Sequence, residues 1–313
     1  MIRALVFPGQ GSQAVGMGRE LAAAFAAARE TFEEIDEALR QSLSRLMFEG
    51  PESELTLTEN AQPALMAVSL AVVRVLEREA GLEWKRHAAF VAGHSLGEYS
   101  ALAAARALDP GDAARLLKRR GRAMQRAVPV GEGAMAALLG LDLEEARVVA
   151  AEAAQAEVCD CANDNAPGQV VVSGARAAVE RALEIAAARG ARRSVLLPVS
   201  APFHCRLMAP AADEMAEALS ETAFAEPIVP LIANVTAAPV QDPDEIKRLL
   251  IEQVTGLVRW RESVLALKAH AVEEIAELGA GRVLSALVKR IDREIAAVPV
   301  GTPAEIEAFA KRL

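Results

Sequence analysis

The chain has 313 residues, 52% of them hydrophobic and 25% charged, and carries a formal net charge of −9. That composition fits a folded protein of one large or two modest domains. It argues against a nucleic-acid partner, because polyphosphate would be repelled overall. No segment approaches the roughly 18–20 uninterrupted apolar residues of a membrane span. The N-terminus runs from an apolar stretch, Ile2–Phe7, into a glycine loop, unlike a signal peptide. Three cysteines, an odd number, give no disulfide framework, so a reducing cytoplasm is expected. Cys159 and Cys161 share one face of an expected strand without a further His or Cys pair, and no metal site is expected there.

In chain order, Ala4–Phe7 reads as a strand, followed by the loop Pro8-Gly9-Gln10-Gly11-Ser12-Gln13 and an alanine-rich helix from about Gly18. Gln62-Pro63 is expected to open a second long helix that runs to about Glu79. A short apolar run then feeds Gly93-His94-Ser95-Leu96-Gly97, and a helical run follows at once. This is the strand–turn–helix setting of a nucleophile elbow. Side chains two residues either side of such a serine would collide, and Gly93 and Gly97 remove them. The following helix would turn its N–H groups and positive dipole end toward an oxyanion at the serine. Ser95 is therefore read as a nucleophile. Asp109 as N-cap and Pro110 at the first helical position open the next helix. The alternation of strand and helix predicts an α/β domain with a mainly parallel sheet.

From about Gly133 the pattern changes. Ala134–Leu141, Val158–Ala162, Gly168–Ser173 and Arg193–Val199 read as strands, with helices over Leu143–Ala156 and Ala177–Arg189. The order β-α-β-β-α-β is the ferredoxin-like unit. It predicts a subdomain at 133–198 inserted into a body made of 1–132 and 199–313. The body resumes with a loop at Ser200–His204, a helix, a strand at Ile228–Val235, further helices, and a strand at Val272–Leu278. Gly279-Ala280-Gly281 then opens another helix.

A serine nucleophile needs a base, and the chain has four histidines. His94 adjoins Ser95 and would point away on a tight turn, His87 lies in a polar lead-in, and His270 ends a helix. His204 follows a strand end in a proline-flanked loop, where α/β folds place chemistry, and ranks first as the base; a structural histidine is the alternative. No aspartate sits in a strand-end loop between Ser95 and His204, so a backbone carbonyl is a candidate for the third member. On the helix from Pro110, the residues Ala113, Leu116, Leu117, Met124 and Ala127 form one apolar stripe, and Arg120 falls at its centre. A buried arginine needs a partner. It meets either an internal carboxylate or a ligand carboxylate. Lys118, Arg119, Arg122 and Arg126 are expected on the solvent face of that helix. The run Gly9–Ala14 also matches the dinucleotide fingerprint G-x-G-x-x-G/A, with Glu33 at a suitable distance. That reading leaves the serine elbow unexplained, whereas a loop offering backbone N–H groups beside the elbow explains both.

The pieces Phe7–Gln13, Gln62–Leu65, Gly93–Ser100, Arg120-Gly121 with Met124-Gln125, Asn165–Val171 and Pro198–Cys205 together resemble the malonyl-CoA:acyl carrier protein transacylases over essentially the whole chain. The resemblance implies an α/β-hydrolase-like body with a ferredoxin-like insert. It implies Ser95 as nucleophile, His204 as base, and the backbone carbonyl of Gln253 orienting the imidazole. It also implies the N–H groups of Gln10 and Leu96 as oxyanion hole and Arg120 as ligand of the malonyl carboxylate. Thr255-Gly256-Leu257 departs from the family pattern near Gln253. The implied activity is ping-pong malonyl transfer from malonyl-CoA to the phosphopantetheine thiol of acyl carrier protein, for fatty acid synthesis, by a cytoplasmic monomer without metal or redox cofactor. Lys118, Arg119, Arg122 and Arg126 are the expected carrier-protein contacts. The rivals are a transferase for another acyl group or a malonate decarboxylase subunit. A serine esterase, from another class, would have no use for Arg120.

Overall fold

Five consecutive residues, Arg3–Phe7 (β1), are all buried, as only a central strand covered on both faces can be. Leu5 and Phe7 enter one apolar cluster, and Ala4 and Val6 enter another on the opposite face. The computed structural model describes all residues, Met1–Leu313. The remaining strands are Phe90–Gly93 (β2), Gly133–Leu139 (β3), Cys159–Ala166 (β4), Gln169–Ala175 (β5), Arg193–Leu196 (β6), Leu231–Ile232 (β7), Pro239–Val240 (β8), Glu274–Leu278 (β9) and Ala296–Val300 (β10). The first sheet has the order β10-β9-β1-β2-β7-β8. All its pairs are parallel except the β7–β8 hairpin at one edge. Strand ends β1 and β2 therefore lie side by side, with Phe7 in register with Gly93, and their loops meet above the sheet.

The second sheet, order β4-β5-β3-β6, is antiparallel throughout and is built entirely from the chain between Gly133 and Leu196. Helices Leu143–Ala154 and Arg176–Ala188 supply the rest of its own apolar cluster, with Ala146, Val149, Ala178 and Val179 against Ala136, Leu138, Val170 and Val172. The connection order is the ferredoxin-like one. The chain is thus an α/β protein with a mostly parallel sheet and a separate antiparallel one.

Four elements differ from the sequence expectation. The first helix breaks at Phe25 into Arg19–Ala24 and Ala26–Leu39. The helix expected from Gln62-Pro63 begins at Thr58 and carries Pro63 inside it. The proline costs that helix one hydrogen bond. Close packing offsets the loss, since Gly121 of the Pro110–Ala127 helix lies so near that a Cβ there would be 2.5 Å from Glu59. The strand expected over Ile228–Val235 is only the two residues of β7. β4 runs to Ala166, through the Asn163-Asp164-Asn165 run that reads as a turn. Two register shifts accommodate the polar residues, and Val258 of the body pairs with this segment by accepting from the Asp164 N–H and donating to the Ala162 carbonyl, both at 2.9 Å. No helix is long and apolar enough to cross a membrane.

Candidate active site

β2 ends at Gly93 and the next helix begins at Gly97, so Ser95 occupies the sharpest part of the connection. Its φ is +54°, a left-handed conformation that costs a non-glycine residue on the order of 1 kcal/mol or more. A Cβ on Gly93 would lie 1.9 Å from the Gly97 carbonyl, and one on Gly97 would lie 2.3 Å from the Phe7 carbonyl oxygen. No side chain fits at either position. The Ser95 N–H is held by Asn234 Oδ1 at 2.8 Å, and Asn234 Nδ2 donates to the Gly93 carbonyl at 2.7 Å.

His204, 3% exposed and also at positive φ, places Nε2 2.7 Å from Ser95 Oγ. Its Nδ1 lies 2.8 Å from the Gln253 carbonyl oxygen. A carbonyl only accepts, so Nδ1 carries the proton and Nε2 is free to take one from the serine. Burial, then the nearby Arg120 charge, lowers the imidazole pKa from 6.5 to about 3, while the Gln253 carbonyl pulls the other way. Burial and the Arg120 charge both favour the neutral ring in the free site. The other histidines lie elsewhere. His94 Nε2 meets Asn165 Oδ1 of β4 at 2.9 Å, His87 Nδ1 accepts from the Glu83 N–H, and exposed His270 stacks on Phe90.

Arg120 is 1% exposed and has no carboxylate within ion-pair distance; the buried Glu98 reaches it only through an intervening amide. Its guanidinium donates to Gln62 Oε1 at 2.7 Å, Gln253 Oε1 at 2.8 Å and Ser95 Oγ at 3.2 Å. Its Nε has no partner, and the ring of Tyr99 lies 5.7 Å from its Cζ. Gln62 passes the contact on to Thr58 Oγ1 at 2.9 Å, which reaches the Gln10 side chain at 3.1 Å. The loop after β1 is thereby tied to the same cluster. It presses on the elbow, where a Cβ on Gly9 would be 2.6 Å from the His94 carbonyl oxygen. The backbone N–H groups of Gln10 and Leu96 have no acceptor within the protein. The dinucleotide reading fails here, because its fingerprint must open a helix and the next helix starts only at Arg19.

A serine, a histidine and an unpaired buried arginine on this frame fit acyl transfer involving a charged acyl group. The chain matches the acyl transferase domain family over residues 4–301. It belongs to that family. Among relatives of this acyl transferase, a malonyl CoA-acyl carrier protein transacylase of Bacillus subtilis is 46% identical over 99% of this chain and 96% of its own. That of Escherichia coli K12 is 44% identical over 97% of each. The crystal structure of an acyl-carrier-protein-S-malonyltransferase from Bartonella henselae superposes with a TM-score of 0.97 at 54% identity, covering 100% of this chain and 99% of that one. A malonyl-transacylase solved in complex with its type II PKS acyl-carrier protein superposes with a TM-score of 0.97 at 42% identity over all of both chains.

Two features of this acyl transferase were not visible in its sequence. Glu98 and Asn234 are site residues, each 1% exposed, and join the cluster through Gln253. Glu98 accepts from Gln253 Nε2 and, at 3.2 Å, from the Asn234 N–H. The position of Glu98 three residues past the serine, on a helix without a polar face, is the one signal that could have flagged it. The cations on the outer side of the Pro110–Ala127 helix are also not free. Lys118 and Arg122 meet Glu59 at 3.2 and 2.7 Å, while Arg119 and Arg126 meet Glu214 at 3.3 and 2.6 Å. Lys118 is half-buried, against the expectation of a solvent-facing residue.

Proposed function

We propose that the chain transfers a malonyl group from malonyl-CoA to the phosphopantetheine thiol of an acyl carrier protein through a malonyl-Ser95 ester. The observation that carries this reading is a buried guanidinium, without a carboxylate partner, 3.2 Å from the oxygen of a serine–histidine pair. A malonyl thioester supplies both missing parts. Its carbonyl faces Ser95 Oγ and its carboxylate pairs with Arg120, which a neutral acyl group cannot do. Ser95 Oγ attacks the thioester carbonyl as its proton passes to His204 Nε2. The oxyanion is held by the N–H groups of Gln10 and Leu96. The C–S bond breaks, and the imidazolium returns its proton to the departing coenzyme A thiolate. The carrier-protein thiol then runs the same steps in reverse, and the similar energies of the two thioesters make the transfer reversible. The low basicity of His204 suits this relay: burial makes the imidazolium short-lived, and it discharges readily onto a thiolate. A peptide carbonyl in the third position leaves it so, where a carboxylate would stabilise the imidazolium.

For the carrier protein, the paired helix cations offer little. Arg192, Arg193, Lys289 and Arg290 are exposed and meet no carboxylate. Arg192 and Arg290 lie along one strip: the Arg192 stem covers Gly140, Gly140 abuts Gly168, and Arg290 binds the Gln169 side chain. The same hairpin carries Asn165, which touches His94 beside the serine. An acidic carrier docked on this strip would present its thiol at the elbow.

The test is intact mass after incubation with malonyl-CoA. The unaltered protein should gain a malonyl adduct and Ser95→Ala none. An adduct that persists on Ser95→Ala moves the nucleophile to another residue.

A further inference from the structure

Gln253 is the only group linking Arg120 to a negative charge. Its Oε1 accepts from Arg120, and its Nε2 donates to the Glu98 carboxyl and to the Ser95 carbonyl at 3.0 Å. Glu98 is buried on the elbow helix, and both its oxygens accept N–H groups, which is the bonding of an ionised carboxylate. The charged or titratable groups facing it are Arg120 from the Pro110–Ala127 helix and Tyr99 of its own helix. His204 stands on the far side of Gln253. The neighbouring elements otherwise present the amides Asn234 and Gln253. The empty site thus holds one buried cation and one buried anion bridged by an amide. Malonyl transfer, on which this inference rests, brings a second anion to the same cation. Two carboxylates and one guanidinium in a dry site leave a net negative charge, which is strongly unfavourable.

We propose that Glu98 is the resident counter-charge of Arg120 and takes up a proton from solvent when a substrate carboxylate binds, so that loading of a charged acyl group consumes a proton and loading of a neutral one does not. Glu98 is a positioning residue: its carboxyl bonds to Asn234 and Gln253, not to Ser95 Oγ, and it acts through Gln253. The carboxyl is already poised for this. Burial raises its pKa from 4.5 to about 7, against the pull of Gln253, Asn234 and Arg120. A second anion on Arg120 cancels much of the pull from that guanidinium and raises the Glu98 pKa further. Above neutral pH, malonyl binding should therefore weaken roughly tenfold per pH unit, the slope for one proton, until Glu98 titrates in the complex. Acetyl binding should show no such slope.

The experiment uses Ser95→Ala, which binds without turnover. Calorimetric titration with malonyl-CoA, in buffers of different ionisation enthalpy near pH 8, reads the protons taken up per ligand bound. Uptake approaching one proton is expected with malonyl-CoA and none with acetyl-CoA. The uptake should persist when His204→Ala is added and vanish with Glu98→Gln. Malonyl-CoA binding with no uptake overturns the proposal, as does equal uptake with Glu98→Gln. Should Glu98→Gln fail to fold, the protein with native Glu98 still decides. A ratio of malonyl-CoA to acetyl-CoA affinity that stays flat between pH 6.5 and 9 is fatal to the idea. Failure of malonyl-CoA to bind at all is a different result, and rejects the proposed function.

Discussion

The inner and outer sides of the Pro110–Ala127 helix treat positive charge in opposite ways. The inner side buries Arg120 to 1% exposure and gives it amides, a hydroxyl and an aromatic ring, but no carboxylate in contact. The outer side leaves Arg119, Arg122 and Arg126 in water's reach and pairs each with a glutamate. Electrostatics alone would arrange the reverse, because burial makes an unpaired charge costly and water makes a pair nearly worthless. A protein that pays this cost at the inner position is holding the charge for something that arrives. On the outer side the neighbouring glutamates cancel the net positive charge that an acidic partner would sense.

The largest effect should come from the inner side. Arg120→Ala should reduce malonyl loading by the loss of one partner of a buried charge pair, about 2–5 kcal/mol or roughly 30- to several thousand-fold. Acetyl loading should hold or rise, and Arg120→Lys should recover only part, since an ammonium lacks the planar fork. Parallel loss of both acyl groups in a folded variant would make Arg120 a structural residue. Next is the pH profile of acylation. Because His204 is held neutral down to about pH 3, its protonation should cost less than about twofold in malonyl loading between pH 6.5 and 5.5, where an ordinary histidine would lose about fivefold. The sign for stability follows from the same depressed value. The unfolded chain binds the proton first, so stability falls as pH drops from 6.5 toward 3, and His204→Ala should flatten that limb of a denaturant titration. An effect smaller than that of Arg120 is expected at the free cations. Arg192→Glu with Arg290→Glu should raise KM for carrier protein several-fold, leave KM for malonyl-CoA unchanged, and reduce the salt dependence. The smallest belongs to the paired outer face, where Arg119→Glu with Arg126→Glu should change KM for carrier protein by less than about twofold. A larger rise there than at Arg192 and Arg290 would reverse the assignment of the docking face.

Much of the site could be read from local pattern. The two glycines around Ser95, the loop carrying His204 and the wheel position of Arg120 each depend on a few neighbouring residues, and each stands in the structure where the pattern puts it. The strand and helix order of the second sheet was equally visible, because its periodicities change sharply at loops. What could not be read depends on distant segments. Glu98, Asn234 and the Gln253 side chain come from three elements, and nothing in any one segment signals the other two. Glu214, which pairs with both Arg119 and Arg126, lies on the separate helix Ala209–Glu221. Pro63 misled because its preference for a first helical turn was overridden by the packing of Gly121 on the turn before it.

Gln253 divides its work between two parts of one residue. Its main-chain oxygen fixes the imidazole, and its side-chain amide fixes the guanidinium. Any amino acid supplies the first, and only an amide of the right length supplies the second. A substitution at this position therefore removes the hold on the guanidinium and leaves the imidazole its carbonyl partner.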